Sequence, residues 1–199
     1  MNKIKKVLIL SLLIMLITGC KDIFTVENKE TNYLSGKYNV EMSIKNYGKV
    51  EIELDADKAP ITVTNFMNLV KSGAYDGNKI HRVSRDFVIQ AGDNIKSDNI
   101  KGEFLANGVD NDISHKSGTI SMARAGNQTD GYNTASSQFF IVVEDADYLD
   151  NYYAGFGYVT KGMDVIKKIN SKGFNTDKDG NILNESDMPI IEYIKEIEK

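Results

Sequence analysis

Side chains that could carry out nucleophilic or metal chemistry are few in this 199-residue sequence. It contains one cysteine, Cys20, and two histidines, His81 and His115. A single cysteine excludes an internal disulfide and a thiolate zinc cluster, and two histidines leave little for a histidine metal site. The sequence also lacks the G-x-S-x-G elbow, the phosphate-binding loop, the H-E-x-x-H helix and the dinucleotide-binding loop. We therefore expect neither a cofactor nor hydrolase, nucleotide or zinc chemistry.

One segment has the spacing of a metal-binding loop. Residues 175–182 read NTDKDGNI and match the first half of a calcium-binding EF-hand loop. The twelfth position, where a bidentate glutamate belongs, is Ser186, and clear helical flanks are lacking. We favour a polar surface turn over residues 175–186 and expect no metal site.

The first twenty residues predict a lipid anchor. Three lysines precede an apolar run, Val7 to Ile17, that is shorter than the ~20 residues of a membrane-spanning helix. The run ends in Leu-Ile-Thr-Gly-Cys, which resembles the lipobox of bacterial lipoproteins, where cleavage precedes a cysteine that carries a diacylglyceryl group. The alternative is an ordinary signal peptide that ends near a cysteine. We expect a signal peptide over residues 1–19 and a lipidated Cys20 that begins a tether over residues 20–36.

The charge balance argues against a nucleic-acid partner. The formal net charge is -4, and cleavage after residue 19 removes three lysines and no acid. An acidic surface adds no attraction to anionic lipid, so the two acyl chains alone must hold the protein at the membrane. We expect it on the outer face of the cytoplasmic membrane, as a monomer.

Hydrophobic patterning predicts the elements that must position any site. Apolar and polar residues alternate over Tyr38–Ile44 and Val50–Leu54, which predicts a hairpin. Further strands are expected at 80–83, 87–91, 118–122, 138–143, 156–159 and 190–194, with helices from Ala59-Pro60 to Ser72-Gly73 and over Met163–Ile169. This pattern favours a mainly β domain over residues 37–199, a closed eight-stranded antiparallel barrel capped by two α-helices.

Five segments, taken in order, resemble the motifs of one enzyme family. They are APITVTNF at 59–66, the IHRV and DFVIQAGD stretches within 80–93, GTISMARAG at 118–126, SSQFFI at 136–141, and the LD and FG pairs within 149–157. Together they resemble the cyclophilin family of peptidyl-prolyl cis-trans isomerases. The resemblance implies an eight-stranded barrel with two helices, in agreement with the patterning.

The resemblance implies two catalytic residues. Arg82 matches the family's catalytic arginine, and a guanidinium is always charged with its donors in a fixed plane. Gln90 matches a glutamine that lines the site and hydrogen-bonds the substrate or Arg82. The alternative for Arg82 is a surface arginine paired with Asp86 or Asp93.

A second group of matching positions is implied to bind the substrate. Its members are Phe87, Val88, Ala123, Arg124, Ala125, Gln138, Phe140, Tyr148, Leu149 and Tyr153. Backbone groups of residues 123–125 are implied to bind the residue before proline, so the side chain of Arg124 matters less than its N–H and C=O. Phe140 is implied to face the proline pocket, and Phe139, its neighbour on the strand, then faces the core.

Three pocket positions depart from the family pattern. Val88 stands where methionine is usual, and Tyr153 stands where a histidine is common. Tyr148 replaces the tryptophan of the best-known members, which contributes an indole N–H to cyclosporin. We therefore expect substrate preference and inhibitor binding to differ, while the fold is unaffected.

Neither histidine is expected to be catalytic. His81 precedes Arg82, so on a strand its side chain points to the opposite face, and we interpret it as structural. His115 lies in a polar stretch and is interpreted as a solvated loop residue.

Two functions are consistent with the sequence. The first is an isomerase that assists the folding of exported proteins by acting on their Xaa-Pro segments. The second is a proline-peptide-binding or holdase-type chaperone lipoprotein with little turnover. The presence of Arg82 together with Phe87, Gln90 and Phe140 favours the enzyme.

Overall fold

A computed structural model describes residues 32–126 and 130–198 of the chain. The predicted signal peptide, Cys20 and the first part of the tether lie outside the described residues. Within the described ranges, no helix is long and apolar enough to cross a membrane.

The described residues form eight strands and two α-helices. In order, these are β1 (Lys37–Ile44), β2 (Gly48–Asp55), α1 (Pro60–Lys71), β3 (Arg82–Ser84), β4 (Val88–Ala91), β5 (Thr119–Met122), β6 (Phe139–Val142), β7 (Gly155–Lys161), α2 (Met163–Asn170) and β8 (Ile191–Glu196). Short 3-10 turns lie at Leu105–Asn107, Asp147–Leu149 and Glu185–Asp187. The mainly β prediction with two helices is confirmed.

The strands form one antiparallel sheet that is curled but open. Its order is β3-β4-β6-β5-β7-β2-β1-β8, so β3 and β8 are the two edges. Between the chain entering β3 and the chain entering β8 there is an isolated bridge, Lys79 to Ile190, and no ladder. Because β3 has only three residues, it offers too little backbone to close the sheet. The sheet is therefore a half-barrel, and the expectation of a closed barrel is corrected.

The main core lies between the sheet and the two helices. Helix α1 begins with Pro60 and buries one stripe, which includes Phe66, against the sheet. Phe66 packs against Tyr75, Phe139 and Phe156 with ring centroids 5.2–5.5 Å apart. The Tyr75 hydroxyl donates to the Ser137 carbonyl at 2.9 Å, and burial raises the pKa of this phenol. This aromatic cluster holds β6 and its flanking residues in place.

A second, smaller apolar cluster lies on the other face of β4 and β6. Its buried members are Val88, Phe140, Val142, Ala146 and Leu149. Successive side chains of a strand point to opposite faces, so Phe139 enters the main core while Phe140 enters this second cluster. The second cluster forms the floor of the candidate site.

The residues just before β1 contact the domain. The Leu34 N–H donates to Thr64 Oγ1 at 2.8 Å, and the Gly36 N–H donates to Asp57 Oδ1 at 2.7 Å. Both residues belong to the segment predicted as a tether. Leu34 also packs on the main core, so the chain is held to the domain three residues before β1 begins.

Candidate active site

Strand register places three of the predicted site residues in one row across the sheet. Arg82 on β3 pairs with Gln90 on β4, Gln90 pairs with Phe140 on β6, and Phe140 pairs with Ser121 on β5. Residues directly opposite each other on paired strands project to the same face. The row therefore carries a cation, an amide and an aromatic ring toward one place.

That place is a cavity of about 220 Å³. It is lined by Arg82, Phe87, Val88, Gln90, Ala123, Arg124, Phe140, Leu149 and Tyr153. All nine were predicted as catalytic or substrate-binding residues. An apolar floor with a fixed cation at its edge can hold a small hydrophobic ring and direct N–H donors to a group beside that ring.

Three predicted residues do not line the cavity. Gln138 lies behind Gln90, whose Nε2 donates to Gln138 Oε1 at 2.8 Å. Tyr148 is 61% exposed and stacks on Phe87 with ring centroids 5.9 Å apart. Ala125 is exposed, and its N–H donates to Thr134 Oγ1 at 3.0 Å. These residues support the rim of the cavity rather than its lining.

Arg82 is held by two hydrogen bonds. Its Nε donates to the Asp179 carbonyl at 2.7 Å, and its Nη1 donates to Gln90 Oε1 at 3.1 Å. The guanidinium also lies 5.8 Å from the centre of the Phe87 ring. Asp86, considered as an ion-pair partner for it, instead lies 3.8 Å from Arg85. The guanidinium is therefore positioned by neutral acceptors, and no carboxylate among the described residues forms an ion pair with it.

The side chain of Arg124 packs against three aromatic rings at the cavity. Its guanidinium lies over the rings of Tyr153, Tyr132 and Phe104, at 4.7, 5.3 and 5.5 Å from their centres. Its Nε also donates to the Tyr152 carbonyl at 3.0 Å. The side chain forms one wall of the cavity together with Tyr153, and the expectation that it matters less to substrate binding than the N–H and C=O of Arg124 stays a prediction.

The prediction for His115 was wrong. The side chain is fully buried, with Nδ1 2.7 Å from Asp150 Oδ1 and Nε2 3.0 Å from Ser121 Oγ. Its ring stacks behind Phe140 with centroids 6.1 Å apart. His115 therefore supports the floor of the cavity from the side away from solvent.

Burial and hydrogen bonding fix the protonation of this pair. Burial lowers the pKa of His115, although its hydrogen bond to Asp150 opposes the shift. Burial alone would raise the pKa of Asp150, but hydrogen bonds from Ser114 and His115 hold that pKa below its usual value. Because the ionised carboxylate only accepts, His115 carries its proton on Nδ1, and its Nε2 accepts from the Ser121 hydroxyl.

His81 lies on the side of β3 away from Arg82, in agreement with the predicted direction. It lines a different cleft of about 350 Å³ together with Lys79, Asp93 and Glu185. Burial lowers the pKa of His81. Its ring is therefore neutral near pH 7 and does not belong to the cavity that contains Arg82.

The calcium-like segment folds as a turn. Asp177 Oδ1 accepts from the backbone N–H groups of Asp179 and Asn181, each at 2.9 Å, and Thr176 forms a bridge with Ile182. Over residues 32–126 and 130–198, no group of three or more His, Cys, Asp or Glu side chains could hold a metal. What the turn contributes to the site is the Asp179 carbonyl that accepts from Arg82.

Two groups that contribute to the site could not be assigned their partners from the sequence. The Asp179 carbonyl lies 97 residues from Arg82 along the chain, and Asp150 lies 35 residues from His115. Ser121 falls within the GTISMARAG segment and Asp150 within the LD pair at 149–150, and these two motifs were the available signals for the contacts of His115.

Comparison with known proteins identifies relatives of this chain. Residues 39–193 match the family model described as cyclophilin type peptidyl-prolyl cis-trans isomerase/CLD. A peptidyl-prolyl cis-trans isomerase of Acinetobacter baylyi is 42% identical over 132 residues, which cover 62% of this chain and 68% of the relative. Peptidyl-prolyl cis-trans isomerase A of Dickeya dadantii is 40% identical over 152 residues, which cover 72% of this chain and 76% of the relative.

Solved structures share the fold. A crystal structure of a Cryptosporidium parvum cyclophilin type peptidyl-prolyl cis-trans isomerase has a TM-score of 0.69 at 24% identity and covers 82% of this chain and 99% of its own. A second crystal structure of that protein, in the presence of the dipeptide Ala-Pro, has a TM-score of 0.67. At this identity, the likeness concerns the fold.

Proposed function

Since this chain belongs to the cyclophilin family of peptidyl-prolyl cis-trans isomerases, and is an enzyme of that class, we propose that it serves the folding of exported proteins at the outer face of the cytoplasmic membrane. The observation that carries this location is the apolar run that ends in Leu-Ile-Thr-Gly-Cys20. Two acyl chains on Cys20 exceed what stable membrane anchoring requires, whereas one chain is marginal.

The reaction sets what the site must do. Rotation about a peptide bond has a barrier of about 18–20 kcal/mol, because resonance stiffens the C–N bond. Xaa-Pro bonds populate both isomers and exchange in tens to hundreds of seconds. Acceleration to milliseconds takes about 10⁴–10⁵-fold, or roughly 5.5–7 kcal/mol of selective transition-state stabilisation.

Arg82 supplies the group that distinguishes the twisted bond from the planar one. In the twisted state the proline nitrogen becomes pyramidal and regains a lone pair, which a fixed cationic donor stabilises. Arg82 lines the cavity, and its Nε and Nη1 are already engaged by the Asp179 carbonyl and by Gln90. A guanidinium held in this way needs little reorganisation when the lone pair develops.

The apolar part of the cavity holds the proline ring during the rotation. Val88, Phe140 and Leu149 are 1–6% exposed and belong to one cluster, with Phe87 and Tyr153 packed against it. A cavity of about 220 Å³ is large enough for a proline ring. The Ala-Pro dipeptide named for the Cryptosporidium structure is of the substrate class that we propose. With the ring fixed, only the carbonyl side turns.

The location is tested by fractionation of cells that express the full chain. We expect the wild-type chain in the membrane fraction, with isomerase activity that is lost when protease is added to intact protoplasts. Cys20→Ala gives an uncut or unlipidated chain, while Thr18→Ala exchanges one small residue for another beside the cleavage point and stays anchored. A Cys20→Ala chain that is processed and membrane-bound like wild type contradicts the proposal. Anchored protein that binds Xaa-Pro peptides without turnover supports the holdase alternative instead.

A further inference from the structure

A directed row of hydrogen bonds runs from Arg82 away from the cavity. Arg82 Nη1 donates to Gln90 Oε1 at 3.1 Å, and Gln90 Nε2 donates to Gln138 Oε1 at 2.8 Å. Gln138 Nε2 then donates to Asp93 Oδ1 at 3.1 Å. Every donor in this row, which we call the glutamine relay, points away from Arg82 and toward the carboxylate.

The direction of the relay depends on its last member. A glutamine amide has an oxygen acceptor at one corner and an NH2 donor at the other, and rotation by half a turn exchanges them. A carboxylate only accepts, so Asp93 draws the NH2 group of Gln138 and leaves its oxygen for Gln90. The oxygen of Gln90 then faces Arg82. The reverse orientation would bring an NH2 donor against the guanidinium.

Asp93 is itself held in place at the edge of a separate cleft. Asn94 Nδ2 donates to Asp93 Oδ2 at 3.0 Å, and Asn78 Nδ2 donates to the Asp93 carbonyl at 2.8 Å. The residue lines the cleft that contains His81, not the cavity that contains Arg82. Its hydrogen-bonded connection to the cavity therefore runs through the two glutamines.

We propose that Asp93 is a positioning residue, which fixes the plane of the Arg82 guanidinium through the glutamine relay. The Asp179 carbonyl holds Nε from one side, and the relay holds Nη1 from the other. Two engaged nitrogens prevent rotation of the planar group. Without Asp93, Gln138 and Gln90 lose their preferred orientation and Arg82 keeps only the bond to Asp179.

The inference rests on the isomerase function and on the role of Arg82, so its test includes a measurement that needs no turnover. The ¹⁵N resonances of the Arg82 guanidinium, identified by their loss in Arg82→Lys, report rotation of the group. We expect restricted rotation in the wild-type full chain and faster rotation in Asp93→Ala and in Gln138→Met. Asp98→Asn, a nearby exposed carboxylate change outside the relay, keeps the wild-type signal.

Turnover provides the second measurement. We expect kcat to fall about fivefold in Asp93→Ala with KM nearly unchanged, the effect of one lost hydrogen bond, and less in Asp93→Asn, which keeps an acceptor without the charge. The double variant Asp93→Ala/Gln138→Met is no worse than either single variant, because both break one row. Wild-type guanidinium rotation in Asp93→Ala and Gln138→Met overturns the proposal. Changed rotation with unchanged turnover would show that the relay orients Arg82 without contributing to catalysis, and it would overturn that part of the proposal, while the catalytic role of Arg82 itself is tested by Arg82→Ala.

Discussion

Phe139 and Phe140 are neighbours on β6 and face two different apolar clusters. Phe139 packs edge-on against Phe66 and Tyr75, with ring centroids 5.5 and 5.4 Å apart. Phe140 instead lies between His115 and Tyr153, with its ring centroid 6.1 Å from that of His115 and 5.9 Å from that of Tyr153. The first ring belongs to the main core and the second to the floor of the cavity.

Truncation of these two rings separates stability from substrate binding. Phe139→Ala is expected to lower the free energy of unfolding by about 3–5 kcal/mol, since the ring is almost fully buried, and to leave turnover of the folded protein unchanged. Phe140→Ala also removes a buried ring, but it weakens peptide binding and turnover as well. Urea unfolding and isomerisation kinetics on both variants check this. Loss of turnover in Phe139→Ala alone would mean that the two faces are exchanged.

The geometry of a strand, together with the family motifs, made this part of the site predictable. The polar and apolar residues of β1 and β2 alternate, whereas β6 is apolar throughout, but any strand must place successive side chains on opposite faces. The facing of Phe139 and Phe140 and the nine lining residues could therefore be predicted from the pattern and the family motifs together.

Contacts between distant parts of the chain could not be predicted in the same way. The stretch around His115 is polar, and nothing local shows that Asp150 and Ser121 will satisfy both ring nitrogens and allow full burial. The open edge between β3 and β8 likewise depends on where two separate segments meet. Arg82 donates to the backbone carbonyl of Asp179. Every residue type has such a carbonyl, so the identity of residue 179 does not predict this contact.

The buried His115 predicts acid sensitivity of the fold. Because its pKa is lowered in the folded state, the unfolded chain takes up a proton below about pH 6.5 that the folded chain does not. The contribution of His115 to the free energy of unfolding is therefore present in full above that pH and is lost as the solution is acidified. One such group gives a slope of at most about 1.4 kcal/mol per pH unit.

Unfolding by urea between pH 7 and pH 5 measures this slope. We expect His115→Gln to be less stable at pH 7 but to lose part of the pH dependence. His81→Gln removes the histidine of the other cleft. This variant should keep the part of the pH dependence of unfolding that His115 contributes. An identical slope in wild type and His115→Gln would show that His115 does not titrate on unfolding.

Tyr148 predicts weak inhibition by cyclosporin. The family resemblance assigns this position to a tryptophan whose indole N–H binds the drug, and here a 61% exposed phenol stacks on Phe87. A missing bond to a buried partner costs about 1–3 kcal/mol, or roughly five- to 150-fold in affinity. Titration should therefore show tighter inhibition of Tyr148→Trp than of wild type, and no gain for Tyr158→Trp on β7. Equal, tight inhibition of wild type and Tyr148→Trp contradicts the prediction.

The most direct measurement compares the rate of Xaa-Pro isomerisation in wild type and Arg82→Ala. The wild-type full chain should accelerate the isomerisation of a short Xaa-Pro peptide, and a folded Arg82→Ala chain should lose at least about tenfold, or roughly 1.4 kcal/mol of transition-state stabilisation. Arg82→Lys recovers little, because a point charge lacks the planar donor pair. Arg85→Ala, which removes the exposed arginine beside Asp86, retains wild-type turnover. Wild-type turnover in a folded Arg82→Ala chain would contradict the central claim that this guanidinium stabilises the twisted bond.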